Sequence, residues 1–161
     1  MTTELEYIPD IGIKLNSQSI NWQTNRDKVR NSIGLPFKEL DRIVDLGPDE
    51  SVLSRRDVYD DVNGEKNHFT FHYNKDNLLN EIEIHWGIDI WVKGVKLKFG
   101  KDINDNVNAL TKLSNNVREI EAGNFLFPDL KLTIADKDSL GGEGHEMGYF
   151  YASTDISHFD E

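Results

Sequence analysis

The sequence predicts an α+β protein with a mostly antiparallel sheet and two helices packed on one face. Short runs with strand-type alternation recur along the whole chain, whereas only two segments combine helical spacing with capping residues. These elements follow a similar order in the two halves. We therefore interpret residues 1–161 as a single domain built from two related units, 5–86 and 87–161, each running strand, helix and hairpin.

The first half begins with a short strand and a helix. Residues 11–15 alternate in the strand manner, with the three aliphatic side chains on one face. Residues 24–33 are predicted to be helical, because Thr24 can cap the N-terminus and Asp27 lies in the first turn. Gly34 permits a left-handed cap, and Pro36 prevents the helix from resuming.

A β-hairpin is the clearest element of the first half. It follows a predicted strand at 55–62 and an Asn63-Gly64 turn. Its apolar positions are Phe69, Phe71, Tyr73, Ile82, Ile84 and Trp86, and its polar positions are His68, Thr70, His72, Glu81, Glu83 and His85. With a turn near Asp76-Asn77, His72 lies opposite Glu81, Thr70 opposite Glu83, and His68 opposite His85. Trp86 continues the inward face and is expected in the core.

The second half repeats this order. Residues 88–99 form two short alternating runs broken at Gly94, and residues 102–117 read as a helix capped by Asp102 or Asn104. Its inner stripe is Val107, Leu110 and Leu113. A strand at 125–134, a loop at 135–144, a strand at 147–152 and a polar tail at 154–161 complete the chain.

Composition excludes several function classes. The chain has no cysteine, so disulfides and cysteine-ligated metals are excluded, and its start lacks the features of a secretion signal. No apolar run approaches the length of a membrane span. With a net charge of −11, direct binding to nucleic acid or to anionic membranes is disfavoured. We expect a cytoplasmic protein, and the charge favours a basic protein partner.

Two interpretations of the polar hairpin face remain open. His68, His72, His85 and the neighbouring glutamates are residue types that bind zinc or transfer protons, so a metal-dependent or acid–base enzyme is the alternative function. However, the same residues are typical of the solvated face of an amphipathic hairpin, and no HExxH, G-x-S-x-G or P-loop motif is present. We therefore assign no catalytic residue, metal ligand or cofactor.

Clustered carboxylates and one tryptophan are the predicted partner-binding residues. Asp57, Asp60, Asp61, Glu65, Trp91, Asp136, Asp138, Glu143 and Glu146 make up this set. Further carboxylates lie near the C-terminus at Asp155, Asp160 and Glu161. Loops bearing such clusters accelerate encounter with a cationic partner. A plain solvated acidic surface is the other interpretation.

The sequence shows two family resemblances. In Trp22–Pro36, the residues Thr24, Val29 and Ile33-Gly34-Leu35-Pro36 are similar to the helix signature of the repeat in β-lactamase-inhibitor-like proteins and in small bacterial outer-membrane assembly lipoproteins. The size, acidity, lack of cysteine and α+β layout resemble those of small cytoplasmic immunity proteins of bacterial toxin systems, including contact-dependent growth inhibition. The resemblance implies a non-enzymatic inhibitor that neutralises a cognate toxin, and the charge favours a nuclease toxin.

Overall fold

The computed structural model describes residues 3–160, which form fourteen strands, two α-helices and three short 3-10 helices. Glu161 lies outside the described residues. The helices are α1 (Arg26–Ile33) and α2 (Ile103–Leu110). The strands of the first half are β1 (Thr3–Ile8), β2 (Gly12–Leu15), β3 (Gln18–Asn21), β4 (Lys38–Glu39), β5 (Arg42–Gly47), β6 (Glu50–Asp60), β7 (His68–Tyr73) and β8 (Leu79–Trp86). Those of the second half are β9 (Ile88–Val92), β10 (Val95–Leu97), β11 (Arg118–Glu121), β12 (Asn124–Phe127), β13 (Leu132–Asp136) and β14 (Met147–Ser153).

The strands form two sheets. The larger sheet has the order β11-β12-β13-β14-β8-β7-β6-β4, with β5 pairing on β6, and the smaller has the order β10-β9-β1-β2-β3. Every named pair of strands in residues 3–160 is antiparallel except β1 with β9. The prediction of a mostly antiparallel α+β protein with two helices is confirmed, whereas the single predicted sheet is replaced by two sheets.

The core lies between the larger sheet and a second layer made by the smaller sheet and the helices. Leu5 and Ile90 of the smaller sheet and Phe71 and Phe150 of the larger sheet belong to one cluster of buried apolar residues. Tyr7 joins the two layers, because its ring packs edge-on against Phe150 and its hydroxyl donates to the carbonyl of Leu130 at 2.7 Å. Helix α1 contacts β3, and α2 contacts β10 and β13. Within residues 3–160, no helix is both long enough and apolar enough to span a bilayer.

Both helices occur where capping residues predicted them, with corrected ends. Asn25 caps α1 by accepting the N–H of Asp27, whereas the Thr24 hydroxyl donates to the carbonyl of Asn21. Gly34 ends α1 in the left-handed conformation, as predicted. Asp102 caps α2, which ends at Leu110 instead of continuing to residue 117.

Several strands were not predicted, and β5 is the most informative of them. The run Arg42-Ile43-Val44-Asp45 does not alternate, because the hairpin of β5 and the first part of β6 extends beyond the sheet and most of its residues are exposed. Strand alternation requires one buried and one solvated face, and the hairpin of β5 and the first part of β6 has no such division.

The predicted single strand at 125–134 is a hairpin, β12 and β13, closed by a turn at Leu130.

A buried ionic network fixes α1 to the larger sheet. The Asp57 carboxylate is completely buried and accepts from Arg26 at 2.7 Å and from Arg30 at 2.8 Å. Arg26 also donates to Asp41 at 2.8 Å, next to the start of β5. Burial alone would raise the pKa of Asp57, but the hydrogen bonds from Arg30 and Arg26 lower it below its usual value.

Replacing Asp57 by Asn should destabilise the protein by about 3–5 kcal/mol, because the buried Arg26 and the partly buried Arg30 would lose the buried carboxylate that they share. The free energy of unfolding in urea measures this effect. Asp49→Asn, at an exposed position on the β5–β6 turn, is the matched control and should change stability by less than about 0.5 kcal/mol. Equal stabilities of the two variants would contradict a structural role for the network.

Candidate functional site

The register of the β7–β8 hairpin determines which side chains share its polar face. His72 pairs with Glu81 and Thr70 pairs with Glu83, as predicted. His68, however, pairs with Trp86 and not with His85, because β8 contains one extra residue at this point. This β-bulge places two consecutive side chains of β8 opposite one residue of β7.

The bulge turns Trp86 out of the core, which corrects the expectation that it is buried. Its side chain is 51% exposed. The indole stacks on His68, with ring centroids 4.8 Å apart and planes 20° apart, and His85 contacts both rings. Regular alternation from Ile84 would have placed Trp86 on the inner face, so the aromatic pattern alone could not reveal this position.

An apolar crevice of about 450 Å³ adjoins Trp86. It is lined by His85, Trp86, Phe99, Gly100, Lys137, Leu140, Gly142, Met147 and Gly148. Leu140 is half exposed, and Met147 is completely buried. A Cβ at Gly148 would lie 2.9 Å from Cγ of Lys137, so the glycine allows the 137–148 segment to fold closely beside Trp86. We call Trp86, His68 and this crevice the Trp86 surface.

Two acidic loops flank the Trp86 surface. On one side, the Asp60 carboxylate contacts Nδ1 of His68, and the neighbouring Asp61 is exposed. On the other side, Asp138 and Glu143 are exposed in the segment that lines the crevice. These four predicted residues therefore lie on the two chain segments next to the exposed aromatic ring.

The remaining two predicted residues of these loops are occupied within the chain. Glu65 accepts from the backbone N–H of Thr3 at 2.7 Å, which fixes the first loop to β1. Glu146 forms an ion pair with Lys137 at 3.2 Å. Both are partly exposed, at the margins of the two loops.

Asp57 and Asp136 do not belong to the surface, which corrects their assignment as exposed partner contacts. Asp57 is completely buried and accepts hydrogen bonds from Arg26 and Arg30, and Asp136 is 3% exposed. Asp136 accepts from the N–H of Ser139 at 2.8 Å and lies 3.2 Å from Nδ1 of His145. Its carboxylate also occupies the space beside Gly123, where a Cβ would lie 2.4 Å away. Its role is to shape the loop.

Trp91 lies in the smaller sheet, in a different cleft of about 760 Å³. This cleft is lined by Glu4, Glu6, Lys14, Asn16, Ser17, Asp89, Trp91, Gly94 and Lys96. The ammonium of Lys96 lies 5.3 Å from the Trp91 ring centroid and 3.1 Å from Asp89. The cation–π position over this ring is therefore already taken by a side chain of the protein.

The centre of the polar hairpin face is a network of His, Glu and Tyr side chains. Glu83 lies 3.2 Å from Nε2 of His72 and 3.5 Å from Nε2 of His85, although the first contact lacks good hydrogen-bond angles. Burial raises the pKa of Glu83, but the contacts with His72 and His85 outweigh burial and lower it well below its usual value. Glu83 is therefore an ionised carboxylate near neutral pH and a poor proton donor.

Two tyrosines close this network. The Tyr151 hydroxyl donates to Glu81. Burial, followed by the charge of Glu81, raises the pKa of Tyr151, and burial together with the charge of Glu83 raises the pKa of Tyr149. Both phenols therefore remain neutral over the physiological range. Among residues 3–160, no three His, Asp or Glu side chains are grouped so as to hold a metal ion.

Comparison with known proteins adds no assignment. No protein-family model matches the chain, and neither a curated protein nor a solved structure is significantly similar to it. The function must therefore be argued from the geometry and charge of the surfaces described above.

The sequence did not predict Trp86 and Leu140 as surface residues. For Trp86, the glycine that follows it in the sequence is a signal of its position. Gly87 follows Trp86 directly and adopts φ 78°, and a Cβ there would clash with the carbonyl oxygen of Lys66, only 1.8 Å away. A glycine at the end of a strand pattern indicates a bulge or a close backbone approach. Leu140 stands in the glycine-rich loop, which carries no periodic signal.

As the pH falls below about 4.5, the ordinary pKa of Glu83, the stability that this carboxylate contributes should be lost progressively. A group whose folded-state pKa is lowered stabilises the protein above its unfolded pKa and loses this contribution as the pH falls. At pH 7, Glu83→Gln should cost roughly 1–3 kcal/mol in urea unfolding. The difference from the wild type should shrink at pH 3.5.

Glu143→Gln, at an exposed position, is the matched control and should follow the wild type at both pH values. A Glu83→Gln variant whose stability difference from the wild type is the same at both pH values would show that Glu83 is not held ionised by its histidine neighbours.

Proposed function

We propose that the chain is a non-enzymatic, cytoplasmic inhibitor that binds a basic protein, and that it acts as an immunity protein against a bacterial toxin. The observation that carries the proposal is the exposed Trp86 beside an apolar crevice, with exposed carboxylates on the neighbouring segments. Tryptophan is enriched at binding hot spots, and a polar rim around an apolar centre is the usual anatomy of an interface.

Charge supports the choice of partner. A nuclease toxin presents a basic groove to its nucleic-acid substrate, and carboxylates of Asp60, Asp61, Asp138 and Glu143 can occupy positions where phosphates would lie. The overall charge of −11 would accelerate encounter with such a groove. The resemblance to small acidic immunity proteins fits the same role.

We also infer that the chain consists of two related units, close to 5–86 and 87–161. In each half a short hairpin precedes a helix, β2–β3 before α1 and β9–β10 before α2. Each half then contributes an antiparallel run of strands to the larger sheet, and the last strands of the two runs, β8 and β14, pair with each other. Duplication of one ancestral unit accounts for the similar order of elements in the two halves.

Trp86→Ala should weaken binding to the cognate toxin by about 30-fold or more, which corresponds to a hot-spot loss of about 2 kcal/mol. The toxin domain to use is the product of the adjacent gene, since immunity and toxin genes are expected as neighbours. Calorimetric titration gives the dissociation constant, and co-expression with the toxin gives protection of cell growth.

Trp91→Ala is the matched control for that experiment, because Trp91 is a partly exposed tryptophan in the separate cleft of the smaller sheet. It should leave the affinity within about twofold of the wild type. The reverse outcome, with loss for Trp91→Ala and none for Trp86→Ala, would move the interface to the smaller sheet. A neighbouring gene product that does not bind the wild-type chain would overturn the proposal.

Removing the two charges of the second loop, Asp138→Asn with Glu143→Gln, should slow association several-fold at low ionic strength. The effect should largely disappear at 0.5 M NaCl, because at this salt concentration the interaction between exposed charges decays within a few ångströms. Surface plasmon resonance at two salt concentrations separates the association rate from the dissociation rate. An equal effect at both concentrations would contradict electrostatic steering.

A further inference from the structure

The hairpin of residues 42–54, which we call the arm, projects from the larger sheet, and no further layer within residues 3–160 covers it. Among these residues β5 pairs only with β6, with Ile43 opposite Leu53 and Val44 opposite Val52. Ile43 is 72% exposed, and Leu46, Val52 and Leu53 are each roughly half exposed. An isolated two-stranded hairpin is marginally stable in water. Moreover, the outer edge of β5 presents unpaired backbone groups to another strand.

The arm has an acidic tip and a basic base. Asp45, Asp49 and Glu50 surround the turn, whereas Arg42 begins β5 and Arg55 and Arg56 lie where the arm joins the sheet. None of these six side chains forms an ion pair with another residue of the 3–160 range. The Nε atoms of Arg55 and Arg56 also lack hydrogen-bond partners there. Both ends of the arm therefore carry charge that the chain itself leaves uncompensated.

Antiparallel pairing with a second copy of the same arm satisfies all these features. It brings the acidic tip of each arm next to the basic base of the other. It also adds a third and fourth strand, which is the number at which a hairpin gains independent stability. We propose that two copies of the chain form a symmetric dimer through the outer edges of their β5 strands.

Symmetry selects the register. Paired side chains lie on the same face of a sheet, and a two-fold axis perpendicular to the sheet preserves that face. The numbers of two paired residues therefore differ by an even number, and one residue pairs with itself on the axis. With Val44 on the axis, Asp45 lies opposite Ile43 of the second copy. With Ile43 on the axis, Asp45 would oppose Asp41, and with Asp45 on the axis it would oppose itself. Like charges directly opposite are destabilising, so the register centred on Val44 is favoured.

This register also joins the apolar side chains. Val44 and Val52 are paired neighbours on one face of the arm. Across the dimer they form a row of four valines, two from each copy, which covers surface that is exposed in the single chain.

Sedimentation velocity over a range of protein concentrations tests the proposal. The wild type should show a concentration-dependent monomer–dimer equilibrium, and Val44→Lys should weaken the dimer about tenfold or more by opposing two ammonium groups. Val117→Lys, a substitution of an exposed valine outside the arm, is the matched control and should dimerise like the wild type. A wild-type chain that remains monomeric up to its highest soluble concentration would overturn the proposal.

Charge reversal gives a second test that depends on the geometry of the dimer. Arg42→Glu and Glu50→Lys both change exposed residues, at the base and at the tip of the arm. Each variant alone should dimerise at least about tenfold more weakly than the wild type, whereas an equimolar mixture should recover a heterodimer. Circular dichroism verifies that both variants are folded.

A mixture that does not associate would refute the antiparallel arrangement, and variants that dimerise as well as the wild type would refute the role of the arm charges. If the arm instead binds a strand of a foreign partner, Val44→Lys will reduce binding of that partner while the wild type alone remains monomeric. The test does not depend on the proposed toxin, since it requires only the purified chain.

Discussion

The antiparallel pairing of β8 with β14 is the interaction on which the rest of the structure depends. Ile84 pairs with Phe150 and Ile82 pairs with Ala152, and all four side chains are completely buried. This pairing joins a run of strands from each half of the chain into one sheet with a continuous apolar face. The parallel pairing of β1 with β9 does the same in the second layer. Without these two pairings, each half would expose a long strand edge and part of the core.

The limits of this pairing explain where the molecule becomes irregular. Strand β14 pairs with β8 only over residues 81–84 of β8, so within residues 3–160 the end of β8 is aligned by β7 alone. The bulge at His85 falls just beyond the paired segment, and Trp86 is turned outward there. Gly87 then allows the chain to pass against the backbone of Lys66 and Asn67 before β9 begins. The exposed tryptophan is thus a consequence of how far the central pairing extends.

Local and periodic signals in the sequence predicted the regular parts of this fold. Alternation and a plausible turn were sufficient to place His72 opposite Glu81, and Gly34 and Asp102 marked helix ends, because these features depend on neighbours in sequence. The bulge, by contrast, depends on where the pairing of β8 with β14 ends, at Ile84 and Phe150. The burial of Asp57 depends on two arginines of α1 that are distant in sequence, and a carboxylate in a cluster looks the same whether buried or solvated.

The two proposed surfaces lie at opposite ends of β6, and their positions allow both to be used at once. The arm occupies the beginning of β6, whereas Asp60 at its end pairs with His68, on which Trp86 stacks. Each copy of the chain carries a charge of −11, so two copies repel each other at long range. At physiological salt this repulsion decays over about 8 Å. Because the arms project from the sheets, they bring complementary charges into contact while keeping the acidic bodies apart. A dimer formed in this way leaves both Trp86 surfaces, each with its acidic loops, free for the proposed basic partner.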